Sequence, residues 1–177
     1  MADKDAGPTG PPKVGIVLGS DSDLAIMQPC LAALRELEVS YEVTVASAHR
    51  APELAADYGR GARERGIRVI IAAAGWAAHL PGVLAAHTTL PVIGVPLGSS
   101  PIGGLDALYS IVQMPPGVPV ATVGLDSARN AGLLAAQILA LSDAELAQRL
   151  QTLKEQLRES VAQQAARVAR AADPTES

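Results

Sequence analysis

Four short polar residues crowd together after the first apolar run of the chain. Val14-Gly-Ile-Val-Leu18 and Gly19 are followed at once by Ser20, Asp21, Ser22 and Asp23. Any of the four can cap the helical segment that begins at Leu24. A capped turn of this kind offers backbone N–H groups, hydroxyl donors and the positive end of a helix dipole, which together suit an anion. Asp23 does not suit a phosphate, since two anions repel; its carboxylate fits a sugar hydroxyl or an amine better. A second cluster is Ser47-Ala-His-Arg50. His49 has the chemistry of a general acid or base near neutral pH. Arg50 is a planar fork for phosphate, and it stands just before a helix start, where a cation without an anion is disfavoured. The plainer reading of this pair is two solvated side chains at a loop. A third cluster runs Gly75-Trp-Ala-Ala-His-Leu-Pro-Gly82, in which His79 either caps a helix or joins a site. His87 sits near a helix end and reads as structural. The histidines and acids show no spacing that calls for zinc.

The elements between these clusters decide whether they meet. Val14–Leu18, Tyr41–Ala46, Arg68–Ala74, Pro91–Val95 and Val118–Val123 read as strands. Helical spacing follows each one: from Leu24 through Leu34, from Pro52 to a stop at Gly66, through Val83–Thr88, near Leu105–Val112, and over Ala128–Leu141. Strictly alternating strands and helices imply a parallel sheet covered on both faces. The simplest strand order is the flavodoxin-like 2-1-3-4-5, which brings the loops after strands 1, 2 and 3 to one crevice at the carboxyl ends. The polar residues of an otherwise apolar chain concentrate in those loops. Residues 13–142 thus read as one α/β domain. Asp143–Ala171 forms a long extra helix with Leu146, Leu150, Leu153, Leu157 and Val161 in one stripe. Such a stripe must be buried against its own domain or a neighbouring subunit, and the neighbour is the expectation here. Residues 1–12 read as a disordered leader and 172–177 as a tail.

Composition narrows the function. The chain has 177 residues, 49% of them hydrophobic, which is enough for a real core. Its net charge of −4 gives no basic footprint for nucleic acid. No apolar run reaches the length of a membrane span. Cys30 is the only cysteine, so no disulfide framework exists, and the chain reads as cytoplasmic. Other sites on similar folds are excluded by their motifs. The glycine fingerprint of a dinucleotide fold is missing beyond Gly19, a receiver aspartate is missing from Ala72–Gly75, and neither a nucleophile elbow nor a Walker loop is present. A flavin site would want aromatic rings, and only Trp76 is placed for that.

An ordered set of short motifs carries a resemblance. Gly19-Ser-Asp-Ser-Asp23, Ser47-Ala-His-Arg-Ala-Pro52, Ala77-Ala-His-Leu-Pro-Gly82, Pro91-Val-Ile-Gly-Val-Pro96, Ser110-Ile-Val-Gln-Met-Pro115, Gly117-Val-Pro-Val-Ala-Thr122 and Asn130-Ala-Gly-Leu-Leu-Ala135 follow one another. Together they resemble the PurE family of purine biosynthesis, from Lys13 to about Leu150. The resemblance implies a flavodoxin-like three-layer α/β/α sandwich assembled as a homo-octamer, with sites at subunit junctions. It implies a mutase that needs no cofactor, converting N5-carboxyaminoimidazole ribonucleotide to 4-carboxy-5-aminoimidazole ribonucleotide. Carbon dioxide leaves the exocyclic nitrogen, is held, and is re-added at C4. His49 matches the family's proton shuttle. Ser20, Ser47 and Arg50 match its phosphate-binding residues, with Ser22 beside them, and Asp23 matches its ribose-binding acid. Ala74, Gly75, Trp76, His79 and Leu80 match the loop over the base and carbon dioxide. The related carboxylase, which uses free carbon dioxide, and a diverged paralogue for another phosphorylated azole are the competing readings. Five places depart from the family pattern. Ala73 and Trp76 replace glycines, His87 replaces a lysine, and the stretches Leu97–Gly103 and Gly124–Ser127 are unusual.

Overall fold

The computed structural model describes residues 10–172, so most of the expected leader and nearly all of the expected tail lie outside the described residues. Five parallel strands form one sheet: β1 (Val14–Leu18), β2 (Tyr41–Val45), β3 (Val69–Gly75), β4 (Val92–Leu97) and β5 (Ala121–Thr122). Their order is β2-β1-β3-β4-β5, the flavodoxin-like order expected from the alternation of elements. Among the described residues six α-helices accompany them: α1 (Leu24–Glu36), α2 (Pro52–Gly61), α3 (Leu80–Ala86), α4 (Leu105–Val112), α5 (Ala128–Ala140) and α6 (Ala144–Ala171).

Alternation along each strand sends side chains to two core layers. Ile16, Leu18, Ile71, Ala73 and Val95 pack beneath α1 and α5, against residues such as Met27, Leu34 and Ala135. Val17, Ile70, Ala72 and Val92 face the other way, onto Ala55 of α2, Leu84 of α3 and Ile111 of α4. β1 and β3 are apolar throughout and buried on both faces, as central parallel strands must be. The edge strand β2 is less covered, and Val43 and Val45 remain exposed.

Element ends differ from expectation in three instructive places. β5 shrinks from the expected Val118–Val123 to two residues, because Pro119 has no N–H to give a neighbouring strand. α3 begins at Leu80 rather than Val83, since Pro81 is tolerated in a first helical turn. β3 and β4 run on to Gly75 and Leu97, which pair with one another at the carboxyl end of the sheet.

The long helix α6 is divided along its length. Asp143 caps it by accepting from the Leu146 N–H at 3.0 Å. That bond, with Lys13 alongside, holds the Asp143 carboxyl below the usual range. Leu146 and Leu153 are buried in the chain's own α1/α5 layer, Leu150 packs against it, and Arg149 Nε donates to the Leu37 carbonyl at 3.0 Å. Leu157, Val161 and Val168 are exposed. The first half of the apolar stripe therefore belongs to the domain itself, and only the outer half is left uncovered by this chain.

Candidate active site

The strand order reverses at β1, and the crevice opens there, beyond the carboxyl ends of β1, β2 and β3. The Gly19 N–H donates to the Ala73 carbonyl at 3.0 Å and the Ala46 N–H to the Leu18 carbonyl at 2.9 Å, which fixes the starts of the first two loops. A cavity of about 460 Å³ results, a size that suits a nucleotide-sized ligand. Ser20, Ser22, Asp23, Ser47, His49, Arg50, Ala74, Gly75, Trp76, His79 and Leu80 all line it, so the three loops meet, with Asp21 alone of the first loop's four polar residues outside the lining.

The first loop turns through a short 3-10 turn, Asp21–Asp23, before α1. Asp23 Oδ2 accepts from the Ser20 N–H at 3.0 Å, the return half of a capping box. Ser22 Oγ donates to Ser20 Oγ at 2.9 Å and Ser20 Oγ to Asp21 Oδ1 at 3.2 Å, a chain of hydroxyls on the cavity wall. Asp23 is buried, and that burial raises its pKa, with the Asp21 charge adding to the rise. The Ser20 N–H and the Ser22 hydroxyl pull the other way. The same side chain thus shapes the turn and places a carboxyl, proton-retaining by comparison with an exposed one, at the cavity.

The second loop is folded around Ser47. Its Oγ accepts from both the Arg50 N–H at 3.2 Å and Arg50 Nε at 3.3 Å, while Arg50 Nη2 reaches the Gly19 carbonyl at 3.2 Å. Arg50 therefore bridges the first and second loops. Among the described residues it meets no carboxylate within ion-pair distance, and its exposed charge is presented beside the serine hydroxyls.

The third loop brings the second histidine. His79 stands at the N-cap position of α3, but its side chain makes no capping bond. Its Nδ1 instead lies 2.7 Å from His49 Nε2, with the two rings edge-on at 70°. One of these nitrogens must donate and the other accept, so the bond as seen is incompatible with both rings being fully protonated. The loop turns tightly, with the Ala78 N–H donating to the Trp76 carbonyl at 2.9 Å, and Trp76 takes the left-handed φ of +55°. A tryptophan pays about 1–2 kcal/mol for a backbone that glycine adopts freely. Gly75, just before it, leaves room for the Ser99 hydroxyl: a Cβ there would make Ser99 Oγ turn aside and would lie 3.4 Å from the Leu97 carbonyl.

Ser99 is the site residue the sequence did not single out. It follows β4, which neighbours β3, and the Gly98-Ser-Ser100 run was the available signal. Asp126 braces this loop by accepting from the Gly98 N–H at 2.8 Å. His87 lies elsewhere, at the far end of α3, with Nδ1 3.4 Å from Arg60 Nη1. Among the described residues no three His, Cys, Asp or Glu side chains gather as a metal site. Burial pushes the Cys30 thiol up to about 12, which marks it as a core side chain.

A parallel α/β sandwich with a hydroxyl-, arginine- and histidine-lined crevice at its switch point defines the class, a flavodoxin-like fold. The chain belongs to the AIR carboxylase family, whose profile matches residues 13–160. The N5-carboxyaminoimidazole ribonucleotide mutase of Pyrococcus abyssi is 58% identical over 149 residues, which is 84% of this chain and 86% of that protein. The Thermotoga maritima protein of the same name is 52% identical over 157 residues, 89% of this chain and 92% of its own length. The phosphoribosylaminoimidazole carboxylase of Schizosaccharomyces pombe is 51% identical over 158 residues, 89% of this chain but only 29% of that longer protein. A crystal structure of Treponema denticola PurE superposes with a TM-score of 0.80 at 27% identity, covering 88% of this chain and 98% of that one.

Proposed function

We propose that this chain is a mutase of purine biosynthesis that converts N5-carboxyaminoimidazole ribonucleotide to 4-carboxy-5-aminoimidazole ribonucleotide. The observation that carries the reading is the meeting of His49 with Ser20, Ser47 and Arg50 in one nucleotide-sized cavity. The mutase name borne by relatives matched over most of their length gives it support. The carboxylase reading is favoured by one observation, the Schizosaccharomyces pombe relative. That match covers a minor part of a longer chain, so the mutase is preferred.

In this reading Arg50 and the Ser20 and Ser47 hydroxyls grip the phosphate, Ser22 supports them, and Asp23 receives the ribose. Ala74, Gly75, Trp76, His79 and Leu80 enclose the base and the released carbon dioxide. The N5–carboxylate bond breaks to give carbon dioxide, and the nitrogen takes up a proton. C4 then forms the new carbon–carbon bond and loses its proton. His49 gives the first proton and receives the second, so atoms and charge balance with no oxidant, reductant or group donor. No metal, nucleotide or organic cofactor is needed for these steps.

The assembly is read as a homo-octamer in the cytoplasm. On α4 and the turn before it, Ile102, Leu105, Tyr109 and Val112 are exposed at helical spacing, and on α6, which packs on the other core layer, Leu157, Val161 and Val168 are exposed as well. Apolar stripes of this kind suit contacts between subunits. The test of the catalytic reading supplies N5-carboxyaminoimidazole ribonucleotide to the protein and follows the C4 product. The unaltered protein should turn it over, and His49→Asn should lose at least about 100-fold in kcat while ligand binding persists. Turnover from aminoimidazole ribonucleotide and bicarbonate alone would assign the carboxylase instead. Near-normal kcat in His49→Asn would remove that residue from the chemistry.

A further inference from the structure

Trp76 is the side chain that the fold of this chain does not explain. It is the only tryptophan, and the chain has no phenylalanine. It belongs to neither core layer, and 57% of it is exposed. Its φ of +55° is one that the tight turn at Ala77–His79 demands and that a large side chain adopts reluctantly. A large apolar ring held in a strained backbone, without burial to offset it, points to a role beyond the chain's own stability.

Its position narrows what that role is. Trp76 lines the same cavity as His49, Arg50 and Ser20, and apart from the two imidazoles it is the only aromatic ring there. The residue before it is the last of β3, where Gly75 pairs with Leu97 of β4. The ring is therefore carried from the rigid end of β3. The polar groups for phosphate and ribose lie in the first and second loops, and in the third loop Ala74, Gly75, Ala77 and Leu80 offer no ring face while the His79 imidazole is engaged edge-on with His49. We infer that Trp76 is a binding residue that stacks its indole on the substrate's five-membered heteroaromatic ring and selects for a planar base. Aromatic faces hold heterocycles this way with tolerance for their polar edges. This inference rests on the reading that the substrate is a phosphoribosyl azole.

Because Trp76 is the sole tryptophan, its fluorescence reports on the ring itself. Saturating aminoimidazole ribonucleotide should shift or quench the emission, while ribose 5-phosphate, which lacks the base, should bind without doing so. Trp76→Gly relieves the backbone and is expected to fold. It should raise KM for N5-carboxyaminoimidazole ribonucleotide about tenfold, the effect of losing one stacking contact, and leave ribose 5-phosphate affinity unchanged. Trp76→Phe, with its ring retained, should stay within about threefold of the unaltered KM. Calorimetric binding of the nucleotide with a silent indole, together with an unchanged KM in Trp76→Gly, would overturn the stacking role and leave the mutase reading standing. A smaller assembly in Trp76→Gly with an unchanged KM would assign the ring to a subunit contact and overturn it equally. Absence of both nucleotide binding and turnover in the unaltered protein would overturn the mutase reading, and this inference with it.

Discussion

Among the described residues Arg50 is held by neutral partners only, the Ser47 hydroxyl and the Gly19 carbonyl, which leaves its charge for an incoming anion. Arg50→Ala removes that charge and also the tie between the first two loops. The loss of a charge-assisted hydrogen bond costs about 1.5–3 kcal/mol, which is roughly a 10- to 100-fold rise in KM for the phosphorylated substrate. kcat should change much less, since the phosphate is remote from the reacting atoms. An unchanged KM would place the phosphate elsewhere. Residue identities at this site were readable in advance because turn chemistry is local. Ser20, Asp23, Ser47 and His49 declare themselves by type and by position after a strand. His79 was ambiguous because capping and site roles use the same position, and only its 2.7 Å approach to His49 separates them. Ser99 is not legible in the sequence, because its relevance depends on β4 lying beside β3, which brings its hydroxyl up to Gly75.

At the scale of elements, α6 carries the sharpest test. Leu153 lies in the α1/α5 layer, whereas Leu157 and Val161 lie outside it. Leu153→Ala should therefore lower the stability of the fold by about 2–3 kcal/mol, read from denaturant unfolding. Leu157→Asp with Val161→Asp should leave the fold of each subunit intact and reduce the size of the assembly measured by light scattering. An assembly of unchanged size would mean that the outer half of α6 makes no subunit contact. Periodicity revealed the stripe but not its division, because all five apolar positions share one face, and which of them is covered depends on where α5 and α1 end. The same limit explains β5. Its β-branched run looks like a full strand, yet a proline and an edge position leave it two residues long.

For the whole molecule, the fold class and the meeting of the three polar loops follow from one property, the strict alternation of buried strands and amphipathic helices. A parallel sheet in the order β2-β1-β3-β4-β5 has its switch point at β1, and all three polar loops must meet there. What the chain does with that crevice rests on whether carbon dioxide stays inside it between the two bond changes. The most direct measurement supplies N5-carboxyaminoimidazole ribonucleotide labelled with carbon-13 in its carboxylate, in buffer containing excess unlabelled bicarbonate. The label should be retained in the C4 carboxylate of the product. Loss of the label to the unlabelled pool would contradict the mutase reading, because the carbon would then pass through free solution as it does in a carboxylase.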